Sequence, residues 1–380
     1  MKKAAFFASV FVAALLPQGA AAAPVFTAHS YTLPQREHPA RLLGGADLTS
    51  DGLADLVVLT DTGGVFVFAR TASGSFTQSS AVAHDAVFPY TMALADFSGD
   101  GRSDMAYSVA TGLRVLLQSG GGFEPGVRID LGTSAAPRLV DAVVAGDFNN
   151  DGKPDLAAAD NNEANNSAPG NSLFFAAGLG SGNFDTARPR LPAPLWPRRL
   201  FGFDANGDGR GEILVGSASG APAITRYDTT GASFVQHAFA AIGLDALAEA
   251  APGDIDGDGK IDLALLFDGR NGPYLRLDRG NNSYAFTIQT TQLPPFPVSG
   301  LRLGDFDNDG KADLLLAFQG GGTTAALLRG HGDFTFDAPQ NIDAGFYAAG
   351  LARGDYNSDG KLDFAVIDAA GGRLVVFLQQ

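Results

Sequence analysis

The chain predicts an all-β fold, a seven-bladed β-propeller of four-stranded antiparallel blades, with the N-terminal strand completing the last blade. Three observations predict it. An acidic motif recurs seven times at a near-constant interval. Each interval divides into four short strand-like segments without helical periodicity. The last interval stops one strand short, while a lone strand-like segment stands near the N-terminus.

In chain order, residues 1–23 come first, "MKKAAFFASVFVAALLPQGAAAA". Lys2 and Lys3 precede an apolar run from Ala4 to Leu16 and a patch of alanines at 20–23. That is the layout of a signal peptide, with cleavage expected after Ala22 or Ala23. The apolar run is short of the ~20 residues a bilayer requires, and no later segment is apolar enough to span. Residues 24–380 are therefore expected to form one exported propeller domain, secreted or periplasmic, acting as a monomer. Val25–Leu33 reads as an orphan fourth strand, similar to "YAFTIQTTQLP" further along.

The repeats follow. Their first loop aspartates are Asp47, Asp96, Asp147, Asp204, Asp254, Asp305 and Asp355, separated by 49, 51, 57, 50, 51 and 50 residues. In each, an apolar segment such as "VVAGD" enters the loop. A nearly continuous apolar run such as "DLLLAF" leaves it, as expected of a strand covered on both faces. A Gly-rich turn leads to a third strand ("GGVFVFAR"), and a more polar fourth segment often opens on Phe ("SFTQSSAVA"). Four strands per roughly 50 residues, seven times over, is the arithmetic of a propeller. The final copy ends at "RLVVFLQQ", a third strand, so the N-terminal segment is expected to close the ring and cover the open sheet edge.

Composition agrees. There is no Cys, which excludes disulfides and thiolate metal sites. The 28 Phe can fill a core, and the 49 Gly and 20 Pro supply many tight turns. The formal net charge of -15 becomes -17 without Lys2 and Lys3, which argues against nucleic acid or anionic membrane as partner.

The loop pattern is D-x-[DNST]-x-D-G-x-x-[DE]. Ca²⁺ takes six to eight oxygens in relaxed geometry, and alternate residues of a tight loop aim oxygens at one point. Positions one, three and five supply side chains, the seventh a carbonyl and the ninth a carboxylate. Position six is glycine in all seven copies, which permits a positive φ at the bend. An EF-hand needs an acid at position twelve. Here that position holds Val58, Tyr107, Ala158, Val215, Leu265, Leu316 and Val366.

Loops such as "GDFDNDGKADL" and "GDFNNDGKPDL" resemble FG-GAP/VCBS repeats, which build the integrin α-subunit propeller and many secreted bacterial proteins. The resemblance covers essentially the whole chain after residue 23. It implies Ca²⁺ between the first two strands of each blade, up to seven structural ions. The implied ligands of the first three loops are Asp47, Thr49, Asp51 and Asp55; Asp96, Ser98, Asp100 and Asp104; and Asp147, Asn149, Asp151 and Asp155. The fourth loop has Asp204, Asn206, Asp208 and, departing from aspartate, Glu212. The last three have Asp254, Asp256, Asp258 and Asp262; Asp305, Asp307, Asp309 and Asp313; and Asp355, Asn357, Asp359 and Asp363. The fifth and sixth loops carry four carboxylates and the others three, 23 of the 41 acidic residues in all. That count ranks the fifth and sixth as the strongest sites. Seven Ca²⁺ would bring +14 against -17.

Seven near-identical loops do not supply the split environments that an acid and a base require, and the five histidines form no motif. The expected function is a non-catalytic binding or adhesion module for a glycan or an extracellular protein. The alternative is a polysaccharide lyase or hydrolase on the same scaffold. Arg353-Gly354-Asp355 reads as a coincidence of the loop's own Gly-Asp. The ligand face is expected opposite the acidic loops, where inter-blade connections carry Arg36 and His38, Phe88 and Tyr90, and Trp196, Arg198 and Arg199. A Trp beside two Arg can stack on a sugar ring and hydrogen-bond it.

Overall fold

A computed structural model describes residues 23–33, 39–60, 64–82, 91–109, 111–120, 122–131, 139–161, 171–187, 190–194, 196–217, 224–229, 234–238, 245–269, 272–280, 287–293, 296–320 and 322–380. The expected signal segment, apart from Ala23, lies outside them.

Among the described residues there is no helix, and the strands form seven antiparallel sheets. After the N-terminal strand β1 (Phe26–Thr32), the innermost strands of the seven blades are β2 (Pro39–Ala46), β6 (Met92–Ala95), β10 (Leu139–Gly146), β15 (Pro197–Phe203), β19 (Ala246–Gly253), β23 (Val298–Gly304) and β27 (Ala348–Gly354). Each leads through its acidic loop into a second strand: β3 (Asp55–Thr60), β7 (Asp104–Val109), β11 (Asp155–Asn161), β16 (Glu212–Ser217), β20 (Asp262–Gly269), β24 (Asp313–Phe318) and β28 (Asp363–Asp368). The first six residues of every second strand are buried. Both faces of each second strand are covered because the blades on either side pack against it, so continuous apolar runs replace alternation.

The core is therefore divided among the inter-blade seams. Seven hydrophobic clusters each join two neighbouring blades and together close the circle. The loop's second residue plugs these seams: Phe97, Phe148, Phe306 and Tyr356 are almost wholly buried there. The smallest cluster lies between blades four and five. On that seam the third strands β17 (Ile224–Thr229) and β21 (Gly272–Arg279) carry buried Arg226–Asp228 and Arg276–Asp278 pairs.

The ring closes as expected. β1 pairs antiparallel with β29 (Arg373–Gln379), from Phe26↔Gln379 to Thr32↔Arg373. The Leu33 N–H donates to Gly372 O at 2.9 Å, and Gln340 of blade six donates to Pro24 O at 2.8 Å. Leu33 is buried, and Phe26 and Tyr31 meet Phe364 and Phe76 edge-on.

One element departs from the simple pattern. The fourth strand of blade three is split into β13 (Phe184–Asp185) and β14 (Leu191–Pro192), both on β12 (Ser172–Gly178). Pro189 falls between them in sequence and has no N–H for the ladder.

Candidate functional site

Two features carry candidate functional side chains, and they sit at opposite ends of the innermost strands. The acidic loops follow the C-terminal ends of those strands. An axial channel opens at their N-terminal ends.

The seven loops share one backbone design. The sixth-position glycines all have positive φ, from 79° at Gly259 to 86° at Gly101. The fourth position is left-handed in every copy as well: Ser50, Gly99, Asn150, Gly207, Gly257, Asn308 and Ser358. Sequence reasoning passed over this second bend. Its signal was there, since position four holds only Gly, Asn or Ser, the residues that tolerate such a turn.

Hydrogen bonds then hold the loop from inside. In every copy the first-position carboxylate accepts the N–H groups of positions five and six; Asp305, for example, takes Asp309 N at 3.0 Å and Gly310 N at 2.9 Å. The fifth-position carboxylate accepts the N–H of position seven, as Asp309 does from Lys311 at 2.9 Å. The ninth-position acid is wholly buried and staples the blade. Asp313 accepts Phe306 N at 2.7 Å and Gly330 N at 2.8 Å, tying the loop to the end of the third strand. Asp55, Asp155, Asp262 and Asp363 do the same. Burial pushes Asp155, Asp313 and Asp363 up to about 6 against these bonds. The ninth acid is thus a structural staple, whatever else it binds.

The third position divides the loops. Where it is neutral it donates to a loop carboxylate: Thr49 to Asp55, Ser98 to Asp96, Asn149 to Asp155, Asn206 to Asp208 and Asn357 to Asp359, at 3.1–3.3 Å. In the fifth and sixth loops it is Asp256 and Asp307, which ionised can only accept. There an arginine from the end of the third strand takes over. Arg279 Nε lies 2.9 Å from Asp256 Oδ2, and Arg329 Nη1 lies 3.9 Å from Asp307 Oδ2. The corresponding residues in the other blades are Ala69, Leu117, Ala177, Asp228 and Leu378. The fourth carboxylate thus stands near an arginine that the other loops lack at that position.

A divalent cation fits these residues. One oxygen each of Asp254, Asp256 and Asp262 lies within 4.8 Å of the others, as do those of Asp305, Asp307 and Asp309. That is about twice a Ca–O bond of ~2.4 Å, and an all-oxygen donor set suits a hard ion.

The axial channel encloses a cavity of about 480 Å³ lined from all seven blades, among others by Leu42, Met92, Asp141, Arg198, Glu249, Ser299 and Gly350. β-Bulges shape its mouth. The innermost strands of blades three to seven shift register between Val140 and Ala142, Pro197 and Arg199, Leu247 and Glu249, Val298 and Gly300, and Ala348 and Leu351. The skipped residues Asp141, Arg198, Ala248, Ser299 and Ala349 all line the cavity, because a bulge re-aims a side chain at a sheet's rim. Each stands six residues before its loop's first aspartate. The same offset reaches Tyr90 in the second repeat.

Of the expected ligand-face residues, Arg198 and Arg199 line the channel. Trp196 does not; it packs on Arg198, whose guanidinium lies 5.7 Å from its ring centroid. Arg36, His38, Phe88 and Tyr90 lie outside the described residues. Sequence reasoning missed Asp141, Glu249, Asp268 and Arg302, which also face the channel. Arg353 of the Arg-Gly-Asp tripeptide belongs to innermost strand β27, and Asp355 is engaged in its loop.

A family model for the FG-GAP-like repeat matches the chain in six overlapping segments, 47–107, 96–158, 147–215, 204–265, 254–316 and 305–366. No curated protein matches the chain. Among solved structures, an Agrocybe aegerita lectin described by its recognition of non-reducing terminal N-acetylglucosamine superposes with a TM-score of 0.55 at 18% identity, over 87% of this chain and 86% of that one. A chain from a mercury-soaked crystal of BBS1N in complex with ARL6DN gives 0.59 at 10% identity, over 90% and 92%. At these identities the likeness shows the fold alone.

Proposed function

The chain belongs to the FG-GAP-like repeat family, and on that premise we propose that it is an exported, Ca²⁺-stabilised propeller that binds a glycan or a protein without catalysing a reaction. The layout of residues 1–23 supports export. The convergent oxygens of loops five and six support the ion. One observation carries the binding role: blade by blade, the loops repeat one design, whereas the bulged positions at the channel mouth differ, as Asp141, Arg198, Ala248 and Ser299 show. A scaffold needs its repeats alike, and a ligand site needs them different. The lectin among the structural neighbours is compatible with a glycan ligand.

In this reading Ca²⁺ supplies charge neutralisation and rigidity at the loops, while the residues of the chain do the positioning. With ~10⁻⁴ M affinity and ~1 mM calcium, each site would stabilise the fold by about 1.4 kcal/mol. Two measurements test the proposal. Metal analysis and thermal unfolding with and without EDTA should find bound Ca²⁺ and a lower melting temperature after chelation; no bound ion and no shift would remove the calcium role. A glycan array with parallel polysaccharide-turnover assays should find binding without turnover. Turnover abolished by a single channel mutation would replace the module with an enzyme.

A further inference from the structure

The channel mouth has two unlike walls. On the side of blades three to six, charges alternate in sign: Asp141, then Arg198 and Arg199, then Glu249 and Asp268, then Arg302. Three carboxylates face three guanidiniums, so the arc is neutral as a whole. On the side of blades seven, one and two the described lining is mainly apolar, with Leu351, Leu42 and Met92, beside the hydroxyl-bearing Thr91.

The arc is held in place by the fold. Arg199 Nε donates to Ala248 O of the next blade at 2.8 Å. Arg302 Nη1 donates to Leu301 O at 2.7 Å and stands 3.6 Å from Glu249 Oε2. That last gap exceeds the ~2.7–2.9 Å of a closed charge-assisted hydrogen bond. A hydroxyl beside the pair can accept from the guanidinium and donate to the carboxylate at once. Neither an anion nor a cation is favoured, because each charge is flanked by its opposite. The volume of about 480 Å³ lies in the range of small-molecule sites, roughly 300–1,000 Å³.

We propose that this channel mouth binds a single neutral pyranoside, its hydroxyl edge on the alternating acid–arginine arc and its apolar ring face on the Leu42, Met92 and Leu351 wall. The proposal rests on the binding-module reading above and adds its site and ligand class. Ser299 deepens the fit, because its hydroxyl bridges blades six and seven to Ala348 O at 2.7 Å and keeps the rim closed.

The test is ligand-observed NMR and calorimetry on the calcium-loaded full chain, with methyl glycosides of glucose, galactose, mannose, fucose and N-acetylglucosamine. Glucuronic acid and glucosamine serve as charged counterparts. At least one neutral glycoside should bind at one site per chain, and the charged counterparts at least tenfold more weakly. Glu249→Gln and Arg198→Ala should each weaken binding at least tenfold with an unchanged melting temperature. Arg128→Gln, on an exposed outer strand, should leave binding intact. Arg198→Lys serves as a second variant if Arg198→Ala fails to fold. Failure of every pyranoside, tighter binding of a charged counterpart, or binding unmoved by the channel variants would overturn the proposal. An array signal that survives those variants keeps the module and loses the channel site. An array without any signal removes the glycan reading itself.

Discussion

Arg279 Nε stands 2.9 Å from Asp256 Oδ2, and one blade later Arg329 faces Asp307. These are the two loops with an acid at the third position, and among the seven blades only these two carry arginine at the facing position. Within one chain, the fourth carboxylate and the arginine come together. The pairing brings the local charge of the fifth loop near that of its three-carboxylate neighbours, while in the sixth Arg329 is shared between Asp307 and Asp337, to which it donates at 2.7 Å. It also places a positive group a few ångströms from where a cation would lie.

Removing that positive group should strengthen the proposed calcium sites. A unit charge about 5 Å from a divalent ion opposes it by on the order of 1–2 kcal/mol even at the dielectric constant of water. Arg279→Gln with Arg329→Gln should therefore lower the calcium concentration needed for half-maximal thermal stabilisation by about tenfold. An unchanged or raised midpoint in a calcium titration would count against the counter-charge role.

The ninth-position staple and the third-position acid should separate in EDTA. Asp313→Asn places an amide N–H₂ where both oxygens now accept backbone N–H groups. A cost of about 2–3 kcal/mol is expected with or without calcium. Asp307→Asn should change only the response to calcium. Chemical denaturation of both variants in EDTA and in calcium reads the difference, and equal losses in EDTA would refute the staple.

Deleting residues 24–33 should open the ring. The loss includes seven strand pairings with β29, the buried Leu33 and the Phe26 and Tyr31 ring contacts, on the order of 5 kcal/mol from apolar burial. The bared edge of β29 should then promote association between chains, visible by light scattering. A synthetic peptide of residues 24–33 added in trans should restore the melting temperature, since an extended peptide can complete an open edge.

The seam between blades four and five should be sensitive to half of an ion pair. Arg276 is almost fully buried and its guanidinium is engaged by Asp278. Arg276→Ala leaves that carboxylate uncompensated and should cost about 3–5 kcal/mol, whereas Arg276→Met with Asp278→Leu should lose little. Equal losses in urea denaturation would show that packing, not charge, governs the seam.

Much of this molecule was legible because it repeats. A period near 50 residues fixed the blade count, since each acidic loop had to recur at the same joint. The buried second strands followed from their unbroken apolar runs. The closing role of Val25–Leu33 followed from counting strands in the last repeat. The sixth-position glycines announced a left-handed bend, and the structure adds its twin at position four, where Ser50, Asn150, Asn308 and Ser358 hid among ordinary loop residues. By contrast, Trp196 drew attention as an aromatic beside two arginines, yet only the arginines reach the channel.

By itself the sequence determined the all-β class, the seven blades, the closing strand and the acidic loops, because each is a local pattern that adjacent residues set and repetition amplifies. Tertiary structure alone decided which charges meet. Asp256 and Arg279 are 23 positions apart, and Glu249 and Arg302 lie 53 apart on neighbouring blades. Their encounter depends on blade twist and on how the bulged strands approach one another at the axis. Neither is written in the pattern of a single repeat, because a ring brings its innermost strands together only after every blade has formed.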